Sequence, residues 1–286
     1  MPTVDLGEII GGGFNTWKKN LNICVPFILS AIISLLIATV VIILTLFSLF
    51  APLFEGFITN PSALASSDVL SQIFSTLANN LGVLIIVFII VALILGLINA
   101  FFTSGAIGMA KEAVLTGRST LSHMTDYGKR KYLSFFGANI IVGLILAVGF
   151  VFLLPGILGL SANLGSVPDG MASQGVLAFL SLLLGLIPMV LYMLIMSIIL
   201  ALVTYAVVLD DLKAVEGVRK GIQVFWHNKL NVFLLWLIVL VFGFLVGLVN
   251  MIPFIGGIVM LVVMFIIFTP LTTIWWSKLY LTIAKT

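Results

Sequence analysis

Residues 230–257 read LNVFLLWLIVLVFGFLVGLVNMIPFIGG, and no charged residue occurs anywhere from 230 to 277. At about 1.5 Å of rise per residue, one helix of that length far exceeds the roughly 30 Å hydrocarbon core of a bilayer. The break Asn250-Met-Ile-Pro253, followed by Gly256 and Gly257, divides the run. It therefore reads as two membrane spans, about 231–249 and 258–280, joined by a tight outer turn. The apolar residues are continuous rather than alternating, which selects helices over barrel strands.

Outward from this stretch the same grammar repeats. The chain is 62% hydrophobic and 8% charged, whereas a soluble domain carries about a quarter charged residues. No polar stretch approaches the roughly 50 residues of a small soluble domain, so residues 1–286 form a single membrane domain. All 13 basic residues fall into four clusters: Lys18 and Lys19; Lys111, Arg118, Lys129, Arg130 and Lys131; Lys213, Arg219, Lys220 and Lys229; Lys278 and Lys285. Short loops rich in Lys and Arg stay on the cytoplasmic side, so each gap between clusters crosses the membrane an even number of times. The first gap supplies spans at about 23–50 and 81–102, with an outer loop at 51–80 carrying Asp68 and a short helix over 68–77 on the outer surface. The second supplies 135–158 and 176–208 around a polar break at 161–174 containing Pro168 and Asp169, with Gly185 and Pro188 expected to kink the over-long second run. The fold class is all-α: six transmembrane helices as three hairpins, in the cell membrane, with both termini cytoplasmic. No basic stretch opens the chain, so no cleaved signal peptide is expected.

A polar-apolar segment precedes each hairpin, at about 4–21, 119–133 and 210–229. In the third, Leu212, Val215, Val218, Ile222, Phe225 and Trp226 share one helical face, and Lys213, Glu216, Arg219, Lys220, Gln223 and His227 the other. That is an amphipathic helix suited to the membrane interface, with Asp210 or Asp211 as its N-cap. Trp17-Lys-Lys-Asn-Leu-Asn22 aligns with Trp226-His-Asn-Lys-Leu-Asn231, and Tyr127-Gly-Lys-Arg-Lys-Tyr132 keeps the aromatic-basic character. The chain thus reads as three degenerate repeats, 1–103, 104–208 and 209–286.

No Asp, Glu, Lys, Arg or His lies in the centre of an apolar run. Ion-coupled transport and intramembrane hydrolysis normally keep ionisable groups at that depth, so neither is favoured. Broken-helix backbone sites remain conceivable at Pro188 and at Thr269-Pro270 with Thr272 and Thr273, although a plain kink accounts for each. His123 and Asp126 lack a third ligand, so no metal and no cofactor are expected. Cys24 stands alone in an apolar run. Gly11-Gly12-Gly13 has no following Gly-Lys-Ser/Thr and reads as a loosening of the first helix rather than a phosphate loop. Small residues at Gly96, Ala100, Ser104 and Gly108, and at Gly243 and Gly247, read as close packing within the molecule.

The basic-aromatic groups carry the functional expectation. Trp17, Lys18 and Lys19, then Tyr127, Lys129, Arg130 and Lys131, then Arg219, Lys220, Phe225, Trp226 and Lys229, and Trp275, Trp276 and Lys278, are interface anchors. Together they would form a surface for anionic lipid headgroups. The pI of about 9.0 follows from bases that flank spans, so nucleic acid is not an expected partner. Membrane lipids are, along with a homo-oligomeric or membrane-protein partner.

Residues 207–231, VVLDDLKAVEGVRKGIQVFWHNKLN, together with the opening Asp5-Leu-Gly-Glu-Ile-Ile and Trp17-Lys-Lys-Asn-Leu, resemble a group of prokaryotic polytopic membrane proteins. These are similar to the membrane domain found with glycerophosphoryl diester phosphodiesterases and to related uncharacterised archaeal and bacterial families. The resemblance implies a lipid-associated polytopic protein. It transfers no catalytic residue, because the phosphodiesterase activity belongs to a soluble domain with acidic metal ligands. The leading functional expectation is a non-enzymatic module that binds lipid or a partner through cytoplasmic interfacial helices. The alternatives are a small channel or permease for a neutral or lipidic substrate, and, weaker, a lipid-modifying enzyme.

Overall fold

The computed structural model describes residues 4–59, 69–163 and 171–284 of the 286. Pro61, Asp68, Pro168 and Asp169, read above as outer-loop residues, lie outside them. The helices are α1 (Leu6–Lys19), α2 (Cys24–Thr59), α3 (Val69–Asn79), α4 (Leu81–Thr116), α5 (Leu121–Ala147), α6 (Leu154–Asn163), α7 (Met171–Leu200), α8 (Val203–Leu209), α9 (Ala214–His227), α10 (Lys229–Leu248), α11 (Gly256–Val263) and α12 (Thr269–Ile283). There is no strand among the described residues. Six helical stretches are long and apolar enough to cross a membrane: Leu21–Pro52, Leu81–Thr116, Leu121–Leu158, Phe179–Leu209, Lys229–Met251 and Gly256–Ile283. The chain is a multi-pass membrane protein.

Local chemistry sets the helix ends. Asp5 caps α1, its carboxylate accepting from the Gly7 and Glu8 N–H groups at 2.8 and 3.3 Å, and Lys18 and Lys19 in the last turn suit the negative end of the helix dipole. Gly117, at φ 80°, stops α4 with its N–H bonded to the Ala113 carbonyl. After α10 the chain turns through Phe254 at φ 65° into Gly256. A Cβ on Gly256 would sit 2.7 Å from the Val249 carbonyl oxygen, so the break read at 250–257 is a turn that needs glycine there.

Three expectations are corrected. The segment at 119–133 is not a separate interfacial helix but the first half of α5, which runs unbroken to Ala147. The reason is packing: α4 continues past its apolar run to Thr116, and its small residues receive α5, Gly108 against the Tyr127 ring and Gly105 against Met124. Gly185 and Pro188 both lie inside α7, and the over-long run divides at 201–202, between α7 and α8. Gly185 lets α7 approach the backbone at Phe152. Gly11, Gly12 and Gly13 do not loosen α1, which is continuous. Without side chains, Gly12 admits the Lys278 amine and Gly13 the Trp275 ring of α12. Finally, neither Asp210 nor Asp211 caps α9: Lys213 is the N-cap residue, its N–H bonded to Glu216 Oε2 at 3.2 Å.

The tightly buried core lies at the end of the assembly that carries the basic clusters. Ile23, Ile107, Met109, Val203, Val207, Val232, Leu235, Ile274 and Leu279 are almost wholly buried. Toward the opposite ends of the spans, residues such as Leu35, Phe47, Phe88, Leu184 and Phe244 are exposed, as side chains solvated by acyl chains would be.

Candidate functional site

The basic end is built around the short connection between α8 and α9. Asp211 has a left-handed backbone, φ 59°, which an Asp tolerates better than most residues. Its Oδ1 lies 2.7 Å from Lys131 Nζ and 3.3 Å from Arg130 Nε, both on α5. Lys131 also donates to the Leu212 carbonyl at 3.3 Å. Next door, Lys111 of α4 donates to the Leu209 carbonyl at 2.7 Å, and the Tyr280 hydroxyl of α12 donates to Asp210 Oδ2 at 2.6 Å. Three spans thus converge on one loop. The hydrogen bond from Lys131 holds the Asp211 carboxyl below the usual carboxylate range, against a smaller desolvation that opposes it.

Other polar links close the same layer. Asn20 and Asn22, after α1, bond Ser119 before α5: Asn20 Oδ1 accepts from the Ser119 N–H at 2.7 Å, and Asn22 Oδ1 accepts from the Ser119 hydroxyl at 2.9 Å. The Tyr127 hydroxyl donates to Glu112 at 2.9 Å. Lys278 donates to the Glu8 carbonyl at 2.9 Å.

The last span carries a one-turn π segment, Met264–Phe268, just before Pro270. Pro270 has no N–H to offer the carbonyl four residues back, that of Ile266. Trp17 Nε1 and Cys24 Sγ donate to that oxygen instead, at 3.0 and 3.1 Å. Thr269 Oγ1 donates to the Met264 carbonyl at 2.8 Å. The freed carbonyl at this proline break is therefore occupied by the protein's own donors.

The sequence-selected residues divide accordingly. Lys131 is turned inward, its side chain 8% exposed, and Arg130 is shared with Asp211. Trp17 is committed to Ile266. Lys18, Lys19, Lys129, Arg219 and Lys229 are exposed and Lys220 is half-buried. Two of these lysines lie over aromatic rings, Lys18 Nζ at 4.5 Å from the Phe14 centroid and Lys229 Nζ at 4.3 Å from that of Trp226. Trp226 is 53% exposed, Val215 70% and Leu230 68%. Phe225, by contrast, is buried in the protein core, and Gly217 and Gly221 press α9 onto Val207 and Val203 of α8. Of the small residues, Gly96 meets Phe136, Ala100 and Ser104 are fully buried, Gly108 meets Tyr127 and Gly243 meets Phe268, whereas a Cβ on Gly247 would touch nothing. His123 Nδ1 accepts from the Thr120 N–H at 3.4 Å, and among the described residues no group of three His, Cys, Asp or Glu is placed to hold a metal ion.

Two uncharged amides carry no ionisable signal. Asn99 and Asn139 sit inside apolar runs, and both are exposed in a cleft between α2, α4 and α5. The signal in the sequence was a lone Asn flanked on both sides by apolar residues.

The family described as "Domain of unknown function (DUF7847)" matches residues 55–281. A protein of Archaeoglobus fulgidus, described as an uncharacterized protein, is 23% identical over 298 residues, covering 98% of this chain and 96% of that protein. No solved structure matches the chain.

Proposed function

The chain belongs to the family of the Domain of unknown function (DUF7847), and from that premise we propose that it is a non-enzymatic membrane module whose basic end engages anionic lipid headgroups. In this reading the six spans form three hairpins in the cell membrane, with both termini and the basic end cytoplasmic. Helices α1 and α9 lie at the inner interface, their amphipathic faces shared between the protein core and the lipid. Kinship with the membrane domain that accompanies glycerophosphoryl diester phosphodiesterases belongs to the same proposal and rests on residues 207–231, the opening residues 5–10 and residues 17–21. The lipid surface would organise the membrane or a complex within it.

The observation that carries this reading is the pair of exposed lysines held over aromatic rings, Lys18 on Phe14 and Lys229 on Trp226. A ring at the acyl boundary with an ammonium over its face suits a phosphate-bearing interface. Leu230, next to Lys229 in the chain, and Val215 at the start of α9 are exposed and would enter the same boundary. The test is retention of phosphatidylglycerol against phosphatidylcholine from mixed nanodiscs, read by native mass spectrometry at low salt. Each basic group near an anionic surface is worth about 1 kcal/mol, so changing Lys18, Lys19, Lys220 and Lys229 together to Gln should lower phosphatidylglycerol retention by roughly tenfold or more. Unchanged anionic preference would reduce these lysines to topology signals.

A further inference from the structure

Helices α2, α4 and α5 flank an open lateral cleft of ≈ 490 Å³, lined by Ser34 of α2, Leu95, Gly96 and Asn99 of α4, and Phe136, Asn139 and Ile140 of α5. Every residue lining it is uncharged. Asn99 Oδ1 accepts from Thr103 Oγ1 at 3.3 Å. Among the described residues no hydrogen bond is made by the Asn99 amide nitrogen or by the Asn139 amide.

Depth makes these amides informative. Lys111 and Lys131 mark the polar layer, both bonded to carbonyls beside Asp210 and Asp211. Along their helices, Asn139 stands about 12 Å beyond Lys131 and Asn99 about 18 Å from Lys111, at the usual helical rise. That is within a hydrocarbon core about 30 Å thick. A polar group facing acyl chains there is costly unless something satisfies it. A phosphate is a poor occupant, because it would shed its water with no cation to meet it. A small neutral polar group can make the journey.

We propose that this cleft binds the uncharged polar group of a lipid, a hydroxyl or carbonyl borne on an apolar chain. Asn99 and Asn139 supply the amide donors and acceptors, Ser34 a further hydroxyl, and Phe136 and Ile140 flank the chain. The site is distinct from the basic end in place and in chemistry, so it stands or falls independently of the headgroup reading. Gly96 belongs to its floor: a Cβ there would lie 2.7 Å from Phe136 Cε2 and would push that ring toward the cleft.

The experiment uses the full chain in nanodiscs with three probes read by native mass spectrometry. These are monoolein, which offers hydroxyls and an ester carbonyl, decylubiquinone, which offers carbonyls, and phosphatidylglycerol as the charged control. The wild type should retain at least one neutral probe, and which one it retains separates hydroxyl from carbonyl recognition. Asn139→Leu should lower that retention by about tenfold, the loss of a hydrogen bond in an apolar site, and Asn139→Ser should recover part of it. Ile140→Trp, which fills the cleft but leaves both amides in place, should lower retention as well and covers the case in which the Asn139 variant fails to fold. Phosphatidylglycerol retention should stay the same throughout. Failure of the wild type to retain either neutral probe, or wild-type retention by the Ile140→Trp variant, overturns the proposal. So does conversion of a dimer to a monomer in Asn139→Leu with neutral-lipid retention intact, which would make the amides a contact between copies.

Discussion

The indole N–H of Trp17 donates to the carbonyl oxygen of Ile266 across 3.0 Å, joining the end of α1 to the residue whose helical partner Pro270 has removed. The relationship gives Trp17 a different task from Trp226, its counterpart in the shared Trp-x-x-x-Leu-Asn pattern. Trp226 is half exposed beneath Lys229. Two residues alike in sequence context thus divide between holding the molecule together and facing its surroundings.

Removing the indole donor should be felt most while the proline is present. Trp17→Phe should cost about 1 kcal/mol, a typical net hydrogen bond, read as a lower melting temperature in detergent. In a Pro270→Ala background the new backbone N–H can serve Ile266, so the same change should cost measurably less. Strict additivity of the two changes would remove the coupling argued here.

Gly108 and Gly247, one from each small-residue strip, should respond oppositely to alanine. Gly108 lies against the Tyr127 ring, and Gly108→Ala should destabilise by about 1–3 kcal/mol through overpacking. A Cβ on Gly247 meets nothing within 4 Å, so Gly247→Ala should be neutral or stabilising by up to about 1 kcal/mol from helix propensity. Thermal unfolding of both variants side by side checks the contrast.

Asp211 links stability to pH on the acid side. Its carboxyl is held below the ordinary carboxylate range, chiefly by the Lys131 hydrogen bond. A depressed folded pKa contributes stability that is fully present above the unfolded value of about 3.9 and is lost as pH falls through the lowered value. Asp211→Asn should therefore weaken the protein near neutrality, by about 1–2 kcal/mol because Asp211 itself is more than half exposed while Lys131 is not. It should also flatten the acid limb of a tryptophan-fluorescence stability profile taken from pH 3 to 7. An unchanged acid limb would mean that other carboxylates govern it.

Sidedness is open to direct labelling. On a Cys24→Ala background, which leaves Trp17 as the donor to Ile266, Phe254→Cys at the fully exposed turn should react with an impermeant maleimide in intact cells. Arg118→Cys should react only after the cells are opened. Labelling of position 118 in intact cells would invert the proposed orientation.

How much was legible beforehand depends on the range of the interaction. The six spans follow from apolar run length against bilayer thickness, and the turn at 250–257 from Asn, Pro and Gly placed together, all local properties. The continuity of α5 was not legible, because its polar first half reads as a surface helix until Gly105 and Gly108 of α4 are brought against Met124 and Tyr127. The candidate site divides in the same way. Lys18 and Lys229 carry the exposed character that their clusters announced, whereas Lys131, in the same Lys-Arg-Lys triplet as exposed Lys129, is buried on Asp211 some 80 residues away.

The sequence by itself determined that this chain lives in a membrane, how often it can cross, and at which ends of its spans the positive charge collects, because hydropathy and charge act residue by residue against a slab of fixed thickness. Only the tertiary structure decided which of those charges are structural, which carbonyl Trp17 completes, and that Asn99 and Asn139 share one cleft. Each of these depends on distant segments meeting within a few ångströms, and nothing in local composition encodes that distance.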